Sequence, residues 1–222
     1  MSLVRDAARR ALAPLGSSPA QTLVATAADR WPEVFDGYVY RMTRGADLAD
    51  LYAALGKALR EHGSLEALYA ATEGSHLERA SGLVQWLRGA RLRSELSRGL
   101  RYLLVDPVDG STAKRMHMFF RWVGRGPDDV DLGLWSSVGP DELIMPLDTH
   151  TSRIARYIGL TSRASTDLRT AIEVTESLRE LHPADPLRYD FALAHLGISG
   201  NCIHRRSAEH CPQCPLEAVC RL

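Results

Sequence analysis

Every cysteine in this 222-residue chain lies within its last twenty-one residues. Cys202, Cys211, Cys214 and Cys220 read C-x8-C-x2-C-x5-C, with Pro212 and Pro215 among them and His204, Arg205, Arg206 and His210 inside the first gap. Four thiols so close in sequence can surround one metal centre without help from any distant segment. A disulfide framework spreads its cysteines to staple a fold and needs an oxidising compartment, of which the chain gives no sign. Metal is the better reading. Structural zinc sites commonly pair two short C-x-x-C knuckles, whereas here there is one. Loops that wrap a cubane use unequal gaps, because each thiolate reaches a different iron. A 4Fe-4S cluster is the expected cofactor, and a four-cysteine zinc site is the alternative.

The chain is long enough to bury a sizeable core, and 45% hydrophobic with 24% charged residues is ordinary for a globular protein. No apolar run approaches the roughly 20 residues that span a bilayer, and Arg5, Arg9 and Arg10 interrupt the N-terminal stretch, so a cytoplasmic location and no membrane are expected. Formal charge is zero, so a nucleic-acid partner would have to act through a local patch. Of the 27 basic residues only Lys57 and Lys114 are lysine. Lysine can lose its proton in a protein and arginine cannot, so a lysine here can mark a site where arginine would not serve.

Periodicity predicts helices throughout. Val4 to Leu15 is amphipathic, Pro19 opens a second helical stretch, and Asp47 caps Leu48 to His62, where Leu48, Leu51, Tyr52, Leu55 and Leu59 form a buried stripe closed by Gly63. Ser64 starts the next helix, and His76 to Leu87 is another. Arg101 to Val105 reads as a short strand or a helix end. Asp106 to Ser111 is a turn, with Ser111 capping a helix Thr112 to Val123 that carries Lys114 and Arg121 opposite its apolar stripe. Asp148 precedes a helix from Thr151 to Ile158, Thr166 or Asp167 caps Leu168 to Leu181, and Tyr189 to Leu196 leads to the cysteine loop. Sustained alternation is absent, so an all-α, bilobed fold is expected, with a helical region at 1–100, a hairpin and catalytic helical region at 101–200, and a cluster loop at 201–222.

A turn, a lysine at a helix start, an aspartate before a later helix and a C-terminal four-cysteine loop follow one another in an order that resembles the helix-hairpin-helix-GPD superfamily of DNA glycosylases. The cysteine loop is similar to the C-x6-C-x2-C-x5-C of its endonuclease III branch, and Leu147-Asp148-Thr149-His150 is similar to that branch's V-D-T-H. Ala113 to Trp122, A-K-R-M-H-M-F-F-R-W, with P-L-D-T-H and Y-D-F-A-L, resembles more closely a bacterial family without an assigned function allied to that superfamily. The resemblance implies a helix-hairpin-helix glycosylase-like fold with an iron-sulfur loop, N-terminally shortened because the allied family carries a further helical segment. It implies a base-excision glycosylase, with AP-lyase activity where a lysine is the nucleophile, acting on double-stranded DNA that contains a damaged base. Asp148 would then stabilise the sugar cation and Lys114 would attack it. Ser111, Arg121, Arg205 and Arg206 are the candidate DNA contacts, and Cys202, Cys211, Cys214 and Cys220 the cluster ligands.

The departures favour a second reading. Where the usual hairpin has L-P-G-V-G, this chain has Val105, Asp106, Pro107, Val108 and Asp109; Pro107 lacks an amide and Asp109 would repel a phosphate. Ser111 stands where endonuclease III has its lysine, and Lys114 falls one turn later, closer to its place in an archaeal 8-oxoguanine glycosylase branch. The alternative is a non-catalytic iron-sulfur protein on the same fold that binds nucleic acid or a partner. His117 and His150 are weaker candidates for phosphate or base contacts. Trp122, Trp135, Phe119 and Phe120 are candidates for base stacking or for core.

Overall fold

A computed structural model describes residues 2–222. Helix accounts for 58% of it, and among the described residues the only sheet is a two-stranded ribbon, so the chain is all-α. Met1–Asp106 and Pro107–Leu222 form two compact units. The division falls inside the expected hairpin turn, and the cysteine loop belongs to the second unit. No helix among the described residues is long and apolar enough to cross a membrane.

The first unit contains α1 (Ser2–Leu12), α2 (Pro19–Ala25), α3 (Trp31–Val34), the ribbon β1 (Val39–Tyr40) and β2 (Thr43–Arg44), α4 (Gly45–His62), α5 (Leu65–Ala70), α6 (His76–Gly89) and α7 (Arg98–Leu103). Its core gathers Leu15, Leu23, Trp31 and Phe35 onto the α4 stripe of Leu48, Ala49, Tyr52 and Ala53. Tyr52 meets the rings of Trp31 and Phe35 edge-on, at 5.1 and 4.8 Å, a favoured arrangement of ring quadrupoles.

Helix α4 begins earlier than its pattern predicts. A Cβ at Gly45 would lie 1.9 Å from the Phe35 carbonyl oxygen, so glycine lets the helix start against that backbone. Asp47 caps from inside the first turn, accepting the Arg44 amide at 2.7 Å while Arg93 and Ser97 hold its other oxygen. Ser64 caps α5 as expected, accepting from the Ala67 amide at 3.0 Å. The segment open to a strand or a helix end is the end of α7, with Arg101 to Leu103 helical and Leu104 and Val105 beyond it, and Ser97 Oγ starts that helix by accepting the Leu100 amide at 3.0 Å.

The second unit contains α8 (Lys114–Gly124), α9 (Thr149–Tyr157), α10 (Leu168–Leu181), α11 (Asp190–Ile198) and then the cysteine loop. Met116, Phe120 and Val123 form the buried stripe of α8. Trp135 stands edge-on to both Phe119 and Phe120, at 5.4 and 5.9 Å, so these three aromatics are packing partners of one another. The segment before α9 docks on α10, where Thr175 Oγ1 accepts the Met145 amide at 2.9 Å. Asp167, one of the two predicted caps, accepts the Thr170 amide at 2.9 Å.

Candidate functional site

Helix α8 does not start where its sequence suggests. Ala113 adopts a left-handed conformation, φ 39 and ψ 35, which breaks the chain direction and makes Lys114 the first helical residue. Ser111 therefore does not cap the helix; its Oγ accepts the Ala113 amide at 3.3 Å within the preceding turn. The consequence is a lysine at the positive end of a helix.

Lys114 Nζ reaches Asp148 Oδ2 at 2.5 Å, with the two side chains 35% and 25% exposed. The other oxygen of Asp148 accepts the Thr151 amide at 2.8 Å, so this residue is also the N-cap of α9. Burial pushes the Asp148 pKa up, but hydrogen bonds from Lys114 and the Thr151 amide, with the Lys114 charge, outweigh it and hold the carboxyl below its ordinary value. The pair is thus a carboxylate kept ionised against an amine, at a helix start that keeps both in place.

Beside Lys114 lies a pocket of about 250 Å³. Lys114, Met118 and Arg121 line it from α8 at i, i+4, i+7, and Asp190, Ala194 and Ile198 line it from α11 at i, i+4, i+8. The spacing of Arg121 from Lys114 does place the two on one side of α8, but only Lys114 is open to solvent there. Arg121 is 3% exposed, its Nε donates to Asp131 at 3.1 Å, and its Nη1 donates to Asp190. The expected phosphate contact is corrected to an internal ion pair. Burial pushes the Asp190 pKa up, and the neighbouring Arg121 and Lys114 charges only partly oppose it.

Asp190 escaped the sequence reading. Its signal was a single carboxylate in the mostly apolar segment Tyr189 to Leu196. His117 is also internal, 1% exposed, and burial lowers its pKa to about 4. Within the first unit Asp106 turns inward, fully buried, and accepts from Ser81 at 3.1 Å and Gln85 at 2.5 Å. That part of the turn serves the fold.

The four cysteines are free thiols, all half-buried, and all four line one cavity together with Ile203 and Leu222. Short 3-10 turns at Cys211–Gln213 and Glu217–Val219 carry the chain around it. Cys211 Sγ accepts the Ser207 amide at 3.3 Å. Among the described residues no three His, Cys, Asp or Glu side chains form a group that could hold a single metal ion. Four soft donors around one apolar cavity nevertheless have the chemistry to fit a thiolate-bound group. Arg206 ties the loop shut, donating to the Cys220 carbonyl at 3.0 Å and to the Leu222 carbonyl. Arg205 is exposed.

The family model described as "Protein of unknown function (DUF2400)" matches residues 1–199, a span that includes Lys114, Asp148 and Asp190 and stops short of Cys202. A search of the curated proteins gives no match.

Proposed function

The chain belongs to the DUF2400 family of proteins of unknown function, and we propose that it removes a damaged base from DNA as a helix-hairpin-helix glycosylase. One observation carries this reading: the Lys114 amine lies 2.5 Å from an ionised carboxylate and also lines a pocket. An enzyme that acts on a stacked base must extrude it. The pocket beside Lys114 would receive that base, and the buried Arg121–Asp190 pair offers a donor and an acceptor to a heterocycle edge away from water.

As the bond between the sugar C1′ and the base breaks, the electron pair leaves with the base, and positive charge grows on the sugar. Asp148 stabilises that charge electrostatically. Lys114 passes a proton to Asp148 or to water, and its lone pair forms the C1′–N bond. Ring opening gives a Schiff base. Loss of a C2′ proton then expels the 3′ phosphate, which is the lyase step. Cys202, Cys211, Cys214 and Cys220 would hold the 4Fe-4S cluster, which supplies order to the loop and so presents Arg205 to the DNA backbone.

The test is borohydride trapping of the full chain, purified anaerobically, on duplexes carrying oxidised, alkylated, deaminated or mismatched bases. A covalent adduct that Lys114→Arg abolishes supports the reading, because arginine keeps the charge without a neutral amine. Base release without an adduct assigns the attack to water and leaves Lys114→Arg nearly silent. Neither release nor adduct on any lesion, with metal bound and the fold cooperative, overturns it. That outcome supports the non-catalytic binding module, which the sequence of the hairpin favours: Pro107 has no amide to offer a phosphate, and the exposed Asp109 is negatively charged.

A further inference from the structure

The cysteine loop grips α9 at both ends. At the first turn, His150 Nδ1 and His204 Nε2 are 3.1 Å apart, sharing one proton in a hydrogen bond. At the last turn, the Tyr157 carbonyl accepts the Arg221 amide at 2.7 Å. His204 belongs to the metal loop through its neighbour, since its Nδ1 lies 3.9 Å from Cys202 Sγ. His150 in turn is seated on α11, where a Cβ at Gly197 would come within 2.9 Å of the His150 Cβ. Between these clamps α9 has nine residues. A helix so short has little stability of its own and takes its position from what holds it. The residue it presents at its N-terminus is Asp148, two positions before His150.

We propose that the cysteine loop is a brace for the helix that carries Asp148, and that metal in the loop governs the accessibility and reactivity of Lys114 through the His150–His204 hydrogen bond. The proposal rests on the reading of the four cysteines as a metal centre. His150 and His204 act here as positioning residues. With metal bound, the loop around Cys202 is fixed, His204 holds the first turn of α9, and Asp148 keeps its hydrogen bond to Lys114. Without metal, that turn frays and Lys114 is released.

The chain provides its own reference for the measurement, because Lys57 is the only other lysine and stands in the first unit, 3.8 Å from Glu61. The full-length protein is labelled with a trace of acetic anhydride, and the Lys114 to Lys57 labelling ratio is read by mass spectrometry. Removing the metal should raise this ratio by about fivefold, the scale of one lost hydrogen bond. His204→Leu should do the same with metal content unchanged, and His204→Gln, which returns an amide near the position of Nε2, should restore the wild-type ratio. Hydrogen exchange shows whether the metal-free chain stays folded; if it unfolds, the metal-loaded His204→Leu variant decides. A ratio that stays constant in His204→Leu with metal bound overturns the proposal and leaves the metal centre standing. Protein that binds no metal after anaerobic purification overturns both.

Discussion

Lys114 Nζ stands 2.5 Å from Asp148 Oδ2 across 34 residues of sequence. The contact depends on Ala113 taking a left-handed turn, which sets Lys114 at the helix start, and on Asp148 spending its other oxygen on the Thr151 amide. The catalytic duty proposed for this aspartate and its structural duty are therefore separable by substitution. Asp148→Asn keeps an oxygen for the cap and should lose only the modest contribution of the half-exposed ion pair, up to about 1 kcal/mol, whereas Asp148→Ala should lose about 1 kcal/mol more with the cap. Both should abolish base release. Urea unfolding beside a glycosylase assay distinguishes them, and retention of release by Asp148→Asn would remove this residue from the chemistry.

The same carboxyl sets a pH dependence. Its pKa in the folded chain lies below the ordinary 3.8, so the stability it contributes is fully present above that value and is lost as pH falls through the depressed one. The difference in unfolding free energy between wild type and Asp148→Asn should be level from neutral pH down to about 5 and should shrink below about 4. Urea titrations at a series of pH values measure it. A difference that grows on acidification would contradict the ion pair.

Arg121 neutralises two buried carboxylates at once. Arg121→Met leaves the buried Asp190 without its hydrogen-bonded cation, while Arg125 still holds Asp131 at 2.7 Å, and a cost of roughly 3 kcal/mol is expected. Arg121→Lys should recover little of it, because Nε and Nη1 address different partners and an ammonium has no such fork. Equilibrium unfolding gives the comparison.

Arg205 and Arg206, paired in sequence, divide in structure. Arg206 holds the Cys220 carbonyl while Arg205 is free to face a partner. If the loop meets a DNA backbone, Arg205→Glu should weaken binding about equally for all sequences and reduce the slope of log affinity against log salt by about 1. Arg206→Glu should in addition lower metal retention. Anisotropy titrations at several salt concentrations test the first, and metal analysis tests the second.

Gly197→Ala should destabilise the second unit by about 1–3 kcal/mol. The added carbon would lie 2.9 Å from His150 Cβ and 3.3 Å from Ile154 Cδ1, both on α9. Thermal unfolding of the variant reads the effect, and an unchanged transition would mean that α9 shifts freely.

What the sequence carries well is local. The caps at Ser64 and Asp167 and the gathering of four cysteines each depend on residues a few positions apart, and the structure has them as read, while of the expected α4 stripe Leu48 and Tyr52 are buried and Leu51, Leu55 and Leu59 are partly buried against the same core. The start of α8 was misread because Ser111 has the right chemistry for a cap, and nothing in an Ala-Lys pair announces that Ala113 will adopt a positive φ. Arg121 was misread for another reason. Helical spacing correctly placed it beside Lys114, but what covers that side is Asp131 from the following loop and Asp190 from α11, a residue 69 positions away. The face of a helix follows from its period, whereas the partner of that face follows from topology.

The double grip on α9 also works as a ruler. The loop holds His150 at one end of the helix and the Tyr157 carbonyl at the other, so its two contacts are set for a fixed number of residues between them. Inserting or deleting one residue turns one end by about 100° relative to the other and shifts it by about 1.5 Å. The loop could then satisfy one contact and not both. Length changes in related chains should accordingly collect in the segments between Gly124 and Pro140 or around Pro183, and the interval from Asp148 to Tyr157 should keep its count.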